Sequence, residues 1–117
     1  MHKYKPLHKN IPSISIYLKN CKVNLALVAH THAYERTCLV KSGKCVESGG
    51  TQHITIGSAG AFLESCDDSP IFGPFHEVGT NQYGYLRVEA SEKSMKLDFV
   101  LDADGSVWDT YEVLPWN

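Results

Sequence analysis

The arrangement of apolar residues predicts an α/β fold, with α+β character for the chain in isolation and an antiparallel meander at its C-terminal end. Three observations carry this expectation. A short amphipathic stretch leads into the apolar run Val23–Ala29, which suits a strand covered on both faces. A second β-branched, alternating stretch, His53–Ser58, runs into glycine turns. Near the C-terminus, Met95, Leu97, Phe99 and Leu101 form a period-two stripe, the signature of a strand with one buried face. With 117 residues, 43% of them hydrophobic, the chain is long enough for the core of one domain.

Taken in order, residues 1–11 are polar, basic and broken by Pro6. From Pro12 to Cys21, Ile14, Tyr17, Leu18 and Cys21 recur at helical spacing, and Pro12 suits a first turn. The apolar strand follows, then a polar segment from His30 to Thr37. Cys38 and Cys45 flank Lys41-Ser42-Gly43-Lys44, which reads as a hairpin tip. Facing positions across it would bring the two cysteines within disulfide range, with buried free thiols as the alternative. The even count of four cysteines favours an oxidising compartment, although the sequence has no N-x-[ST] sequon. Residues Phe62 to Gln82 read as a long surface loop. Tyr83–Ala90, Met95–Leu101 and a strand carrying Val107, Tyr111 and Val113 then make the meander, with Asp104-Gly105 as a turn.

Charge and hydropathy narrow the function classes. The formal net charge is −2, which argues against nucleic acid as a partner. No apolar stretch approaches the roughly 20 residues needed to cross a bilayer, so no membrane span is expected. Residues after Met1 lack the apolar core of a signal peptide. Asp102-Ala103-Asp104-Gly105 fails the calcium-loop pattern, because Gly comes too early and Val113 stands where the closing Glu belongs. Gly57-Ser58-Ala59-Gly60 lacks the spacing of a serine-hydrolase elbow.

The chemistry concentrates at Ala29-His30-Thr31-His32-Ala33-Tyr34-Glu35-Arg36. In extended backbone His30 and His32 point to one side, at the carboxyl end of a buried strand, where open α/β sheets place ligands. Imidazole suits zinc, iron and other first-row metals, so the pair is a half-site. Solvated surface histidines are the alternative reading of H-x-H. A catalytic metal centre takes three or more protein ligands. His2 and His8 are candidates for the remainder, as are His53, read as structural at the start of a strand, and His76, read as a substrate contact or solvated.

That segment resembles the G-H-x-H-A-Y-E-R motif of the purple acid phosphatases, within the calcineurin-like metallophosphoesterase superfamily. VNLALV before it is similar to the family's V-D-x-V strand. HITIGSAG is similar to Y-I-T-I-G-x-x-G, and YGYLRV to the F-G-Y/H strand that follows. Ordered matches span roughly residues 20–117. Met1 to His8 resembles, less closely, an upstream M-H-x-P segment. The resemblance implies that residues 1–117 are the C-terminal portion of a metallophosphoesterase catalytic domain, the latter half of a β-sandwich flanked by helices. His30 and His32 would then be ligands of a dinuclear centre of Fe(III) with Zn, Fe or Mn(II). His2 would be a third ligand and His8 a phosphate contact. Tyr34, Glu35 and Arg36 would brace the loop, for instance through a Glu–Arg contact. Ala29 stands where the family has Gly, which requires a negative φ there.

The family's D-x-x, G-D-x-x-Y and G-N-H-E motifs, which supply aspartates, a tyrosine and an asparagine, do not occur in this sequence. The expected function is therefore the C-terminal part of an acid phosphatase acting on phosphomonoesters, inactive alone and partnered by the missing N-terminal half. The alternative is a truncated, non-catalytic binding or structural module. The family implies a secreted or vacuolar/lysosomal location. An interior-type strand without neighbours predicts dimerisation or aggregation in isolation.

Overall fold

The computed structural model describes residues 14–64 and 73–116. The amphipathic stretch forms α1 (Ile14–Asn20), which stops one residue before Cys21, while Pro12 lies outside the described residues. Val23 N donates to Leu18 O and Lys22 N to Lys19 O, while Lys22 sits at φ 50°. This is the double bond of a Schellman stop, with Lys in the place that glycine usually takes.

Two sheets follow. The first holds β1 (Leu25–Val28), β2 (Tyr34–Lys41), β3 (Lys44–Val46), β4 (Thr51–Ile56) and β5 (His76–Thr80). Its order is β1-β4-β2-β3, and β5 also pairs with β2. The second is the expected meander, β6 (Gly84–Ala90), β7 (Met95–Leu101) and β8 (Val107–Val113), in the order β6-β7-β8. Leu97 and Phe99 of its apolar stripe are buried.

The described part is thus mostly β, with one short helix and two sheets. The α/β expectation rested on β1 and β4, which do pair in parallel, Leu25 with Gln52 through Val28 with Thr55. The crossover between them, however, is the β2–β3 hairpin rather than a helix. Two further expectations are corrected. Tyr34–Thr37 is the first half of β2, not a polar connection, because Tyr34 and Arg36 alternate inward with Cys38. The long loop gives up His76–Thr80 to β5, whose Val78 faces Arg36 in the register. Burial in these short strands comes from the neighbouring sheet, which local composition does not show.

The core lies between the sheets. Tyr34 and Ile54 of the first meet Leu97, Phe99 and Val113 of the second. The Tyr34 ring stacks on Phe99 with centroids 4.0 Å apart. Gly84 permits this, since a Cβ there would lie 2.6 Å from Phe99 Cζ. The β2–β3 hairpin carries the Cys38–Cys45 disulfide, with Cα atoms 5.7 Å apart, so the paired alternative holds.

β2 is bulged where its register against β4 shifts between Arg36 and Leu39. Gln52, fully buried, donates through Nε2 to Thr37 O at 2.6 Å and satisfies a carbonyl the irregular ladder leaves free. On the other side, β1 is covered less than its sequence predicts. Among the described residues it pairs with β4 alone, and Leu27 and Val28 are 48% and 47% exposed. No residue of α1 is buried. Among the described residues, no helix is long and apolar enough to cross a membrane.

Candidate functional site

The histidine pair lies on the turn that joins β1 to β2. The chain leaves the carboxyl end of β1, crosses the end of the adjacent β4, and returns as β2 on the other side of β4. Gly57, directly after β4, makes the crossing possible. A Cβ at that position would overlap the Thr31 carbonyl and come within 3.3 Å of the His32 Cα. Three backbone bonds fasten the turn: Ala33 N to Thr31 O, Gly57 N to Ala33 O, and Glu64 N to His32 O.

Both histidines are therefore at the carboxyl end of a parallel strand pair, where the sequence placed them. The backbone is not extended there, however. His30 has φ 87°, a region that non-glycine residues seldom occupy, and Ala33 N folds back onto Thr31 O. The alternation that would set both rings on one side does not apply. His30 is exposed. His32 is partly buried, edge-on to Phe62 with ring centroids 4.5 Å apart. Ala29 is not among the residues at positive φ, so its methyl group is accommodated; the unusual backbone falls one residue later.

The donor set among the described residues does not amount to a dinuclear centre. Among the described residues no group of three or more His, Cys, Asp and Glu could hold a metal ion. The Nδ1 of His32 is buried and has no hydrogen-bond partner among them. A liganding imidazole ordinarily gives its second nitrogen to a carboxylate or carbonyl that fixes the ring, and that support is lacking. His2 and His8 lie outside the described residues.

The other two candidates have structural surroundings. His53, in the middle of β4 rather than at its start, is partly buried, and burial pushes its pKa below the ordinary imidazole value. His76 opens β5, where its Nδ1 lies 3.2 Å from Glu35 Oε1. It is thus a strand residue with a carboxylate partner.

Tyr34 and Arg36 do brace this region, through partners the sequence reading did not name. Tyr34 OH donates to Asp109 Oδ2 at 2.7 Å. Arg36 Nε donates to the same oxygen at 2.8 Å and Arg36 NH2 to Asp109 Oδ1 at 3.2 Å. Arg36 NH1 reaches Glu77 at 3.0 Å, and the guanidinium lies 4.3 Å from the Tyr111 ring centroid. Burial, the Asp109 bond and the Asp109 charge together raise the Tyr34 pKa far above the ordinary phenol value. The Glu–Arg contact expected within the motif is not made: Glu35 pairs with His76, and Arg36 takes Glu77 and Asp109 instead. One signal for Asp109 is legible in the sequence. It lies two and four residues before Tyr111 and Val113, on the apolar stripe of β8, where a carboxylate needs a buried partner.

The two packed sheets match the fold of a solved purple acid phosphatase. Residues 50–110, just over half of the chain, match the family described as iron/zinc purple acid phosphatase-like protein C, and the chain belongs to that family.

Among curated proteins it is similar to "Probable inactive purple acid phosphatase 9" of Arabidopsis thaliana, 32% identical across 91% of this chain and 18% of that one. It is also similar to "Probable inactive purple acid phosphatase 1" of the same plant, 33% identical across 79% of this chain and 16% of that one. A "Nucleotide pyrophosphatase/phosphodiesterase" of Hordeum vulgare is 26% identical across 79% of this chain and 27% of its own length. The chain thus spans less than a fifth of the two Arabidopsis relatives. Among solved structures, the purple acid phosphatase PPD1 of yellow lupin (Lupinus luteus) seeds superposes with a TM-score of 0.78 at 23% identity. That match covers 92% of this chain and 20% of the lupin chain. Plasmodium GAP50, the anchor in the inner membrane complex, gives 0.63 at 19% identity, over 94% of this chain and 33% of its own. Both structural matches support the fold.

Proposed function

We propose that this chain forms one wall of a purple acid phosphatase-type site for phosphomonoesters and does not turn them over by itself. The supporting observation is the place of His30 and His32, on a turn fastened over the carboxyl ends of β1 and β4. A site for chemistry on phosphorus needs more ligands than these two imidazoles. On this reading the remaining ligands, His2 among them, and a phosphate contact such as His8 lie outside the described residues or on another polypeptide. The whole would be a larger β-sandwich flanked by helices, with the uncovered β1 and α1 facing the rest of it. The Cys38–Cys45 disulfide supports a secreted or vacuolar/lysosomal location.

The test is hydrolysis of p-nitrophenyl phosphate by the purified chain with added iron and zinc. Release no faster than the metal-only blank is expected. Robust hydrolysis that disappears in His30→Ala would overturn the proposal.

A second reading, a non-catalytic structural module, draws support from the relatives named as probably inactive and from the use of Tyr34 and Arg36 in a buried clamp. On that reading the histidines hold at most a weak metal site, so a metal titration of the wild type and a His30→Ala/His32→Ala double variant separates the two.

A further inference from the structure

We infer that Asp109 is a positioning residue, through which the second sheet sets the geometry of the histidine turn in the first. The inference rests on the reading of His30 and His32 as a functional pair.

Asp109 stands opposite Phe99 in the β7–β8 register, so its carboxylate enters the space between the sheets. Its side chain is 11% exposed, and both oxygens are taken by groups on β2, Tyr34 OH and two nitrogens of Arg36. Arg36 is 8% exposed. Its other carboxylate partner, Glu77, has a side chain 48% exposed and sits on β5, within the same sheet. Asp109 is therefore the buried countercharge, and the one that ties β2 to the opposite sheet. Charge-assisted, bidentate contacts of this kind fix orientation as well as adding energy.

The path from this clamp to the histidines is short. Tyr34 is the first residue of β2 and follows Ala33, which is fully buried and accepts from Gly57 N at 3.0 Å. His32 precedes Ala33. The Tyr34 ring cannot slide freely, because Phe99 stacks on one face and its hydroxyl is held by Asp109. Removing the Asp109 charge leaves the Arg36 guanidinium with half-exposed Glu77 as its remaining carboxylate and weakens the acceptor of the Tyr34 hydroxyl, so the start of β2 must adjust. The turn, already at an unfavourable φ at His30, is the adjoining segment with least regular pairing and takes up that movement.

The test is side-chain NMR of His30 and His32 in Asp109→Asn and Tyr34→Phe, with Zn²⁺ titration of the same proteins. Val100→Ala, a buried β7 substitution outside the core cluster that holds Tyr34, serves as control for lost stability. Displaced His32 ring resonances are expected in both clamp variants and not in the control. Any Zn²⁺ affinity of the wild type should weaken in Asp109→Asn by at most about 10-fold, the low end for partners bonded directly to a ligand, because Asp109 acts only through Tyr34 and Arg36. Tyr34→Phe decides alone if Asp109→Asn does not fold, since it removes a single bond and keeps the stacked ring. Unchanged ring resonances in the folded clamp variants, or equal displacement in Val100→Ala, would overturn the inference. A protein that binds no Zn²⁺ yet shows displaced resonances would keep the inference and reject the metal-site reading.

Discussion

Replacing Gly57 by alanine should damage the molecule far more than one methyl group suggests. The added Cβ would overlap the Thr31 carbonyl oxygen and lie 2.8 Å from the Thr31 carbonyl carbon. Both are main-chain atoms of the turn that crosses β4, so no side-chain rotation relieves the clash. Overpacking costs about 1–3 kcal/mol, and an obstacle made of backbone puts this case near 3. At roughly 4 °C per kcal/mol for a domain of this size, the melting temperature should fall by about 12 °C. Gly60→Ala is the internal control, because nothing lies within 4 Å of its would-be Cβ and its φ is ordinary. It should be neutral or stabilise by up to about 1 kcal/mol through the unfolded chain. Thermal unfolding followed by circular dichroism reads both. If Gly57→Ala melts with Gly60→Ala and the wild type, the tight crossing does not exist, and the placement of His30 and His32 over β4 goes with it.

Acid should destabilise the fold in two stages. His53, its pKa lowered by burial, leaves stability intact above its unfolded value of 6.5 and removes it as pH falls toward the folded value, so His53→Gln should flatten that limb. Asp98, held below 3.8 by hydrogen bonds from Arg87 and Thr110, has the same sign at lower pH, and denaturant midpoints across pH should show a second fall that Asp98→Asn lacks. Reducing Cys38–Cys45, which closes a separation of 7 residues, should lower unfolding free energy by about 2–3 kcal/mol on loop-entropy grounds; an unchanged urea midpoint with reductant would contradict this. Sedimentation velocity should show concentration-dependent association through β1, reduced by Leu27→Lys, whereas a wild type monomeric at every concentration would remove the case for an open pairing edge.

Sequence patterning was most informative where apolar residues alternate cleanly along a strand, although in β7 Asp98 and Val100 of the other face are buried as well. β7 begins and ends at Met95 and Leu101, the limits of its apolar stripe, and the hairpin flanked by Cys38 and Cys45 forms as expected. In β8, Val107 pairs with Val100 while Asp109 pairs with Phe99, so a bulge at Trp108 takes Val107 off the stripe shared by Tyr111 and Val113. Such an extra residue leaves no mark in an alternating pattern. The strand at Tyr34–Thr37 was hidden for a different reason. Its polar look comes from Arg36, whose countercharge lies 73 positions along the chain, and pairing at that distance has no local signature. The histidine turn was located correctly, but the φ of His30 depends on the path over β4. The apolar run before it looks interior in composition, yet Leu27 and Val28 remain about half exposed in the described structure.

Thermal stabilisation by Zn²⁺ and Fe³⁺, compared between the wild type and a His30→Ala/His32→Ala double variant, tests the functional reading most directly. Metal should raise the melting temperature of the wild type by a small, saturable amount that the double variant does not show, with no phosphatase turnover in either. Equal stabilisation of both proteins would mean that these histidines are not ligands, and that the chain shares the family's fold without binding metal at this turn.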